Sequence, residues 1–235
     1  FVEQVMKKNN IPSLVYGLSF GKQSWRLEKS LGQIDLENQV PASPHSKYRL
    51  ASISKTFVSA LIGHLVDEGR LSYDTPVNQL LRPEDFPVKR WRSPDEKSDH
   101  PVNITIRQLL SHTAGLHITQ MSDADNVTVT HNTTSMIHKY KDNPLHFKPG
   151  TSYSYSNYGF QVLGAVIESV TKRPFVATMR DFLHQHNLTE TKIETADLTP
   201  DIQQASQAAA NSAPVAWSST LTAGCCCCAT PRARG

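Results

Sequence analysis

Residues 49–57 read Arg-Leu-Ala-Ser-Ile-Ser-Lys-Thr-Phe (RLASISKTF), and the fold turns on them. The stretch Lys47 to Ala51 has strand-forming character and leads straight into a helix predicted over Ser54 to Glu68, which Gly69 stops. Phe57, Leu61 and Leu65 mark one face of that helix, and Val58, Ile62 and Val66 widen it. A helix apolar over most of its circumference is expected to be central and buried. Ser52 and Lys55 stand three apart at its start. Residues at that spacing share a helix face, so the amine can lie against the hydroxyl and take its proton. The plain alternative is that Ser52 is an ordinary helix cap.

The Ser-x-x-Lys pattern occurs three times, at Ser19/Lys22, Ser52/Lys55 and Ser169/Lys172, so context has to choose. The first pair lies at a strand end around Gly21, where the side chains need not share a face. The last closes a helix before Pro174, where a basic residue simply complements the helix dipole. Only Ser52/Lys55 falls where a strand turns into a buried helix, with a backbone N–H available to an oxyanion.

Further along, residues 148–159 read KPGTSYSYSNYG. Tyr155 and Asn157 there set a phenol and an amide two residues apart at a helix start. A phenol beside a lysine can share its proton and act as acid or base. Asn157 can orient the lysine or hydrogen-bond a substrate amide. The bland reading is a tyrosine-rich turn in which Asn157 caps the next helix.

Around these segments the chain shows mixed elements. A helix is predicted over Phe1 to Lys8 and a hairpin over Ser13 to Phe20 and Ser24 to Gly32. A short helix begins at Asp74-Thr75-Pro76, and a capping box at Thr105–Gln108 starts another that ends near Gly115. Helices also follow over Asn157 to Val170 and Pro174 to His186. Residues 83–101, with prolines and both charge signs, read as a solvated loop, and the polar, His-rich 117–145 as an insertion. From about Gln203 the chain is rich in Ala, Ser and Thr and holds all four cysteines at Cys225 to Cys228. Adjacent cysteines give neither a disulfide framework nor zinc-ligand spacing.

Composition excludes several classes. The 235 residues are 38% hydrophobic and 19% charged, which suits a folded domain rather than a charged disordered polymer. A net charge of +3 from 24 basic and 21 acidic residues gives no nucleic-acid footprint. Lys89, Arg90 and Arg92 flank Trp91, but nearby acids make a solvated loop of that stretch. No apolar run reaches the ~18 residues of a membrane span. Ten histidines invite a metal site, notably His184 with His186, or His131, His138 and His146. None has a ligand spacing with a carboxylate, so no metal or cofactor is expected.

Taken in order, RLASISKTF (49–57), LLSHTAGL (109–116) and FKPGTSYSYSNYGF (147–160) resemble the serine β-lactamase-like and penicillin-binding superfamily, through its S-x-x-K and Y-x-N elements. The flanks IDLENQVP (34–41) and NPLHFKPG (143–150) look nearest to its animal mitochondrial branch. The likeness runs over roughly residues 1–195. It implies an α+β fold of the β-lactamase/transpeptidase type, with an antiparallel sheet flanked by helices and a mainly helical subdomain. By the same resemblance Ser52 is the nucleophile of an acyl-enzyme and Lys55 its base or relay. Tyr155 is the second acid/base group, Asn157 positions the substrate amide and Lys55, and the Ser52 N–H is half of an oxyanion hole. His112, in SHTAGL, is read as a structural residue of its turn.

The family's third motif, a basic residue followed by Ser/Thr and Gly, does not occur between Asn157 and Gly235. The sheet strands that the C-terminal portion would supply are not evident either. The expectation is therefore a truncated domain over 1–200 and a low-complexity, disordered or non-native tail over 201–235. Two functions follow from the resemblance. One is a hydrolase of peptide or amide substrates, set in mitochondria and linked to lipid metabolism. The other is an inactive homologue acting as a homo-oligomeric scaffold or filament. Four N-x-S/T sequons, at Asn103, Asn126, Asn132 and Asn187, keep a secreted location as the alternative. The sequence begins at Phe1 without Met, which leaves an upstream targeting segment open.

Overall fold

The apolar stripe of residues 54–68 becomes helix α2 (Ser54–Asp67) in the computed structural model, which describes residues 1–20, 25–48, 50–116, 133–194 and 221–222. Val58, Leu61, Ile62 and Leu65 of α2 are buried, as the wide apolar face requires. Gly69, in the left-handed region at φ +70°, ends the helix: Arg70 N–H reaches back to the Leu65 carbonyl and Gly69 N–H to Val66.

The described residues divide into two compact units, with the break at Arg49/Leu50. The first holds helix α1 (Val2–Lys8) and an antiparallel sheet in the order β1 (Ser13–Phe20), β2 (Trp25–Asp35), β3 (Val40–Pro41). Strands β1 and β2 pair antiparallel from Ser13↔Gly32 to Phe20↔Trp25, so the expected hairpin forms, with its second arm running on to Asp35. The second unit carries the main apolar core. There α2 packs with α5 (Asn157–Thr171) and α6 (Phe175–Gln185), and their apolar faces meet through Leu61, Ile62, Leu163, Ile167 and Met179.

Four sequence expectations need correcting in detail. Residues 47–51 form no strand among those described; Ala51 instead opens a 3-10 turn, Ala51–Ile53, at the head of α2. The helix begun by Thr105 is short, α3 (Ile106–Leu110), although its capping box forms as expected, with Gln108 N–H on the Thr105 side chain and Thr105 N–H on that of Gln108.

Residues 83–101 are not simply a solvated loop. They include β4 (Lys89–Trp91), which pairs antiparallel with β5 (His100–Val102). Lys89 is buried, its ammonium donating to the Lys141 and Asn143 carbonyls and lying 5.6 Å from the Phe86 ring centre. Burial pushes this lysine down, and Asp142 partly offsets it. A charged residue in the core is stable only when so partnered, and the partners come from a distant segment.

The polar stretch 117–145 is also part structural. Residues 117–132 lie outside the described residues, but 133–145 contain helix α4 (Thr133–His138) and enter the core. Ile137, Tyr140 and Leu145 are buried, and the Tyr158 hydroxyl donates to the Ile137 carbonyl at 2.9 Å. Thr133 donates to Glu168, whose other oxygen accepts from Phe175 N–H at 2.8 Å. Of the expected tail, only Leu221 and Thr222 are described. They form β7 (Leu221–Thr222), which pairs in parallel with β6 (Ile193–Glu194). The cysteines Cys225 to Cys228 lie outside the described residues.

Candidate active site

The site begins with the turn that opens α2. Ala51 has φ +43°, a conformation that costs a residue bearing a Cβ roughly 1–2 kcal/mol. Such strain collects where a side chain must be held in a particular direction. Ser52 follows in the 3-10 turn and is exposed, whereas Lys55, one turn on, is only 7% exposed. No side-chain hydrogen bond from Ser52 caps α2, so the plain alternative for this serine is not what the structure holds.

The second arm starts at the end of α3. His112 stands in the left-handed region at φ +58°, and Gly115 does so at φ +71°. Three backbone bonds tie this turn to the segment before α5. His146 N–H donates to the Gly115 carbonyl (2.8 Å), Gly150 N–H to Thr113 (2.8 Å) and Ser154 N–H to His112 (2.9 Å). A Cβ on Gly115 would stand 2.3 Å from the Phe147 carbonyl oxygen. Gly115→Ala therefore combines a clash with a disfavoured φ, and we expect it to cost about 1–3 kcal/mol or more in urea unfolding. A midpoint equal to that of the unsubstituted chain would contradict this.

Helix α5 then starts one residue earlier in its capping than the sequence suggested. Ser156, not Asn157, is the cap, its side chain accepting from Gly159 N–H at 3.1 Å. Asn157 is thereby released for another partner. Its Oδ1 accepts from Lys55 Nζ at 2.9 Å.

The four residues singled out in the sequence come together. Ser52 Oγ and the Tyr155 hydroxyl are 2.7 Å apart, and Lys55 Nζ is 3.3 Å from Ser52 Oγ. The lysine also lies 4.9 Å from the Tyr155 ring centre and 5.5 Å from that of Phe160, where negative ring faces favour a cation. Tyr155 is 39% exposed, so hydroxyl and serine reach solvent while the amine sits beneath them. A hydroxyl with two proton-carrying groups in hydrogen-bond reach can be deprotonated as it attacks a carbonyl.

The rival pair Ser169/Lys172 does not assemble this way. Ser169 donates to the Leu80 carbonyl, and Lys172 ends α5 in the left-handed region at φ +57°. Lys22 lies outside the described residues. Among the histidines, His138 Nε2 pairs with Asp85 Oδ1 at 2.8 Å, and Arg82 Nε donates to Asp85 Oδ2 at 2.8 Å. Burial alone would raise the Asp85 carboxyl, but these two partners hold it below the usual range. His131 lies outside the described residues, and His184 and His186 are exposed near the end of α6. Among the described residues no group of three His, Cys, Asp or Glu could hold a metal ion. No described helix is long and apolar enough to cross a membrane.

Two residues join the site that sequence reasoning had not placed there. Phe160 lies under the lysine, and its only signal was one turn's spacing from Asn157. The His112 ring lies 4.5 Å from that of Tyr155 and 5.2 Å from that of Phe160. Burial first, and the Lys55 charge second, hold this imidazole below the usual histidine value. Both causes favour the neutral form of the ring.

Comparison with known proteins bears on the family and the fold. The sequence is 32% identical over 176 residues to Protein flp of Staphylococcus aureus (strain NCTC 8325 / PS 47), covering 74% of this chain and 33% of that protein. It is 25% identical over 251 residues to the serine beta-lactamase-like protein LACTB, mitochondrial, of Mus musculus, covering 77% and 44%. The chain thus spans less than half the length of these curated relatives. The penicillin binding protein from Bacillus halodurans superposes with a TM-score of 0.64 at 25% identity, over 85% of this chain and 57% of that one. That fold is the α+β β-lactamase/transpeptidase type expected from the motifs. The Beta-lactamase family pattern itself matches residues 1–224, and the chain belongs to the Beta-lactamase family.

Proposed function

We propose that the chain is a serine hydrolase that cleaves amide or peptide bonds through an acyl-enzyme on Ser52. The observation that carries this reading is one hydroxyl, Ser52 Oγ, within hydrogen-bond reach of both Lys55 Nζ and the Tyr155 hydroxyl. As Ser52 Oγ attacks the substrate carbonyl, its proton passes to the Lys55–Tyr155 pair. The tetrahedral intermediate then collapses, the C–N bond breaks, and Tyr155 returns the proton to the leaving nitrogen. Water hydrolyses the resulting ester by the same path in reverse, restoring Ser52. Asn157 holds the lysine in place and offers its amide N–H groups to the substrate.

A mitochondrial setting is supported by the name of the mouse relative, and the link to lipid metabolism by the family resemblance alone. Subcellular fractionation tests the location, and recovery in the secreted fraction would replace it with the alternative.

The chemistry is tested by labelling the 235-residue chain with a fluorophosphonate. The expected result is one phosphonyl group per chain, added with loss of fluoride and mapped to the peptide containing Ser52. A β-lactam should leave an acyl adduct on the same peptide. A folded chain that takes neither label would favour the non-catalytic scaffold.

A further inference from the structure

His112 makes contacts that a simple turn residue does not need. Its carbonyl accepts the Ser154 N–H at 2.9 Å, and its Nδ1 accepts the Ser156 N–H at 3.1 Å. Those two peptide groups lie on either side of Tyr155 in sequence. The ring between these bonds stacks on Tyr155 at 4.5 Å and 33°, on Phe160 at 5.2 Å and 37°, and meets Tyr153 edge-on at 5.9 Å. The left-handed backbone, φ +58°, is what lets carbonyl and ring face the same segment. An Nδ1 that accepts a backbone proton leaves the neutral ring's hydrogen on Nε2.

We propose that His112 is a positioning residue for the Ser52 reaction, clamping residues 154–156 so that the Tyr155 hydroxyl stays on Ser52 Oγ. The inference rests on the acyl-enzyme reading given above. Nothing else on the Tyr155 side needs to move for the reaction to suffer, because an error of about 1 Å in a reacting group can cost 10²-fold in rate. Protonation undoes the clamp. It turns Nδ1 from an acceptor into a donor aimed at another donor, and it sets a second cation beside Lys55. The titratable groups facing the ring are Tyr153, Tyr155 and Lys55. Burial and Lys55 hold the imidazole below its usual range, so the clamp is intact at neutral pH and fails as the solution becomes acidic.

Two substitutions separate this role from turn structure. Asn at 112 tolerates the left-handed backbone and sets an amide oxygen near the place of Nδ1, but it cannot titrate. Ala keeps neither acceptor nor ring. The second-order rate of fluorophosphonate labelling at Ser52, split into its saturation constant and its maximal rate, is the readout. His112→Ala is expected to lower the maximal rate by about 10²-fold with little change in the saturation constant. His112→Asn is expected to recover to within about 10-fold and to lose the acid limb of the wild-type pH profile. An alanine variant as fast as wild type, or an asparagine variant with an unchanged acid limb, would overturn the proposal.

Nitrogen NMR of the histidine rings reads the clamp without any turnover, with His112 assigned by its loss in His112→Asn. At neutral pH a neutral ring protonated on Nε2 is expected. A ring protonated on Nδ1, or a charged one, would overturn the clamp even if Ser52 labels normally. A wild-type chain that fails to label while showing the expected tautomer would instead overturn the acyl-enzyme reading.

Discussion

A chain carrying Ser52→Ala is expected to take no phosphonyl or β-lactam label and to lose acyl transfer by about 10⁴-fold or more, while folding as the parent does. The size of the loss follows from removing the atom that forms the bond, since groups acting as a unit with a nucleophile contribute little once it is gone. The fold should tolerate the change. Ser52 is exposed and its side chain caps no helix. Its two partners are not stranded either, because Tyr155 is open to water and Lys55 keeps Asn157. Unfolding stability within about 1 kcal/mol of the parent is therefore expected. Ser169→Ala provides the control. It removes a bond to the Leu80 carbonyl from the rival Ser-x-x-Lys pair and should leave labelling intact. Label that survives Ser52→Ala would show another nucleophile and remove the assignment.

Why this site could be read from sequence, and its surroundings less so, comes down to distance along the chain. Ser52 and Lys55 share a turn, and Tyr155 and Asn157 share another, so each pair shows its chemistry within a few residues. Helices α2 and α5 are long enough for their apolar period to be visible, and the Thr105–Gln108 box is local by nature. Helix α4 has only six residues, too few for a period, and its place in the core depends on Glu168 and Tyr158. Lys89 looked solvated because the carbonyls that accept its protons belong to Lys141 and Asn143. His112 was legible as part of a turn. Its hold on Ser154 and Ser156 appears only once that turn pairs with the segment ahead of α5. The strand expected over 47–51 failed for the opposite reason. Strand propensity at Tyr48 and Leu50 is weak beside the demand of the 3-10 turn that aims Ser52.

Lys55→Met is expected to separate the two things a buried lysine can do. Its amine is one of two groups able to take the Ser52 proton, and loss of such a group costs typically 10²–10⁴ in rate. Labelling at Ser52 should fall by about 10³-fold. Stability should move little. The amine sits at 7% exposure, with the Asn157 amide, the Ser52 hydroxyl and two ring faces among its contacts. Holding a polar amine out of water bears a desolvation cost that an apolar side chain of similar length does not, which offsets part of the lost hydrogen bonding. Asn157, half-buried, loses one donor and can turn toward solvent. The expected outcome is an unfolding midpoint close to that of the parent, with labelling nearly abolished. Lys55→Arg should be no more active, because a guanidinium keeps its proton and its plane needs space that the Tyr155 and Phe160 rings occupy. A methionine variant that labelled at the parental rate but unfolded early would show the lysine to be a structural cation, and the proton would then have to leave Ser52 through Tyr155 alone.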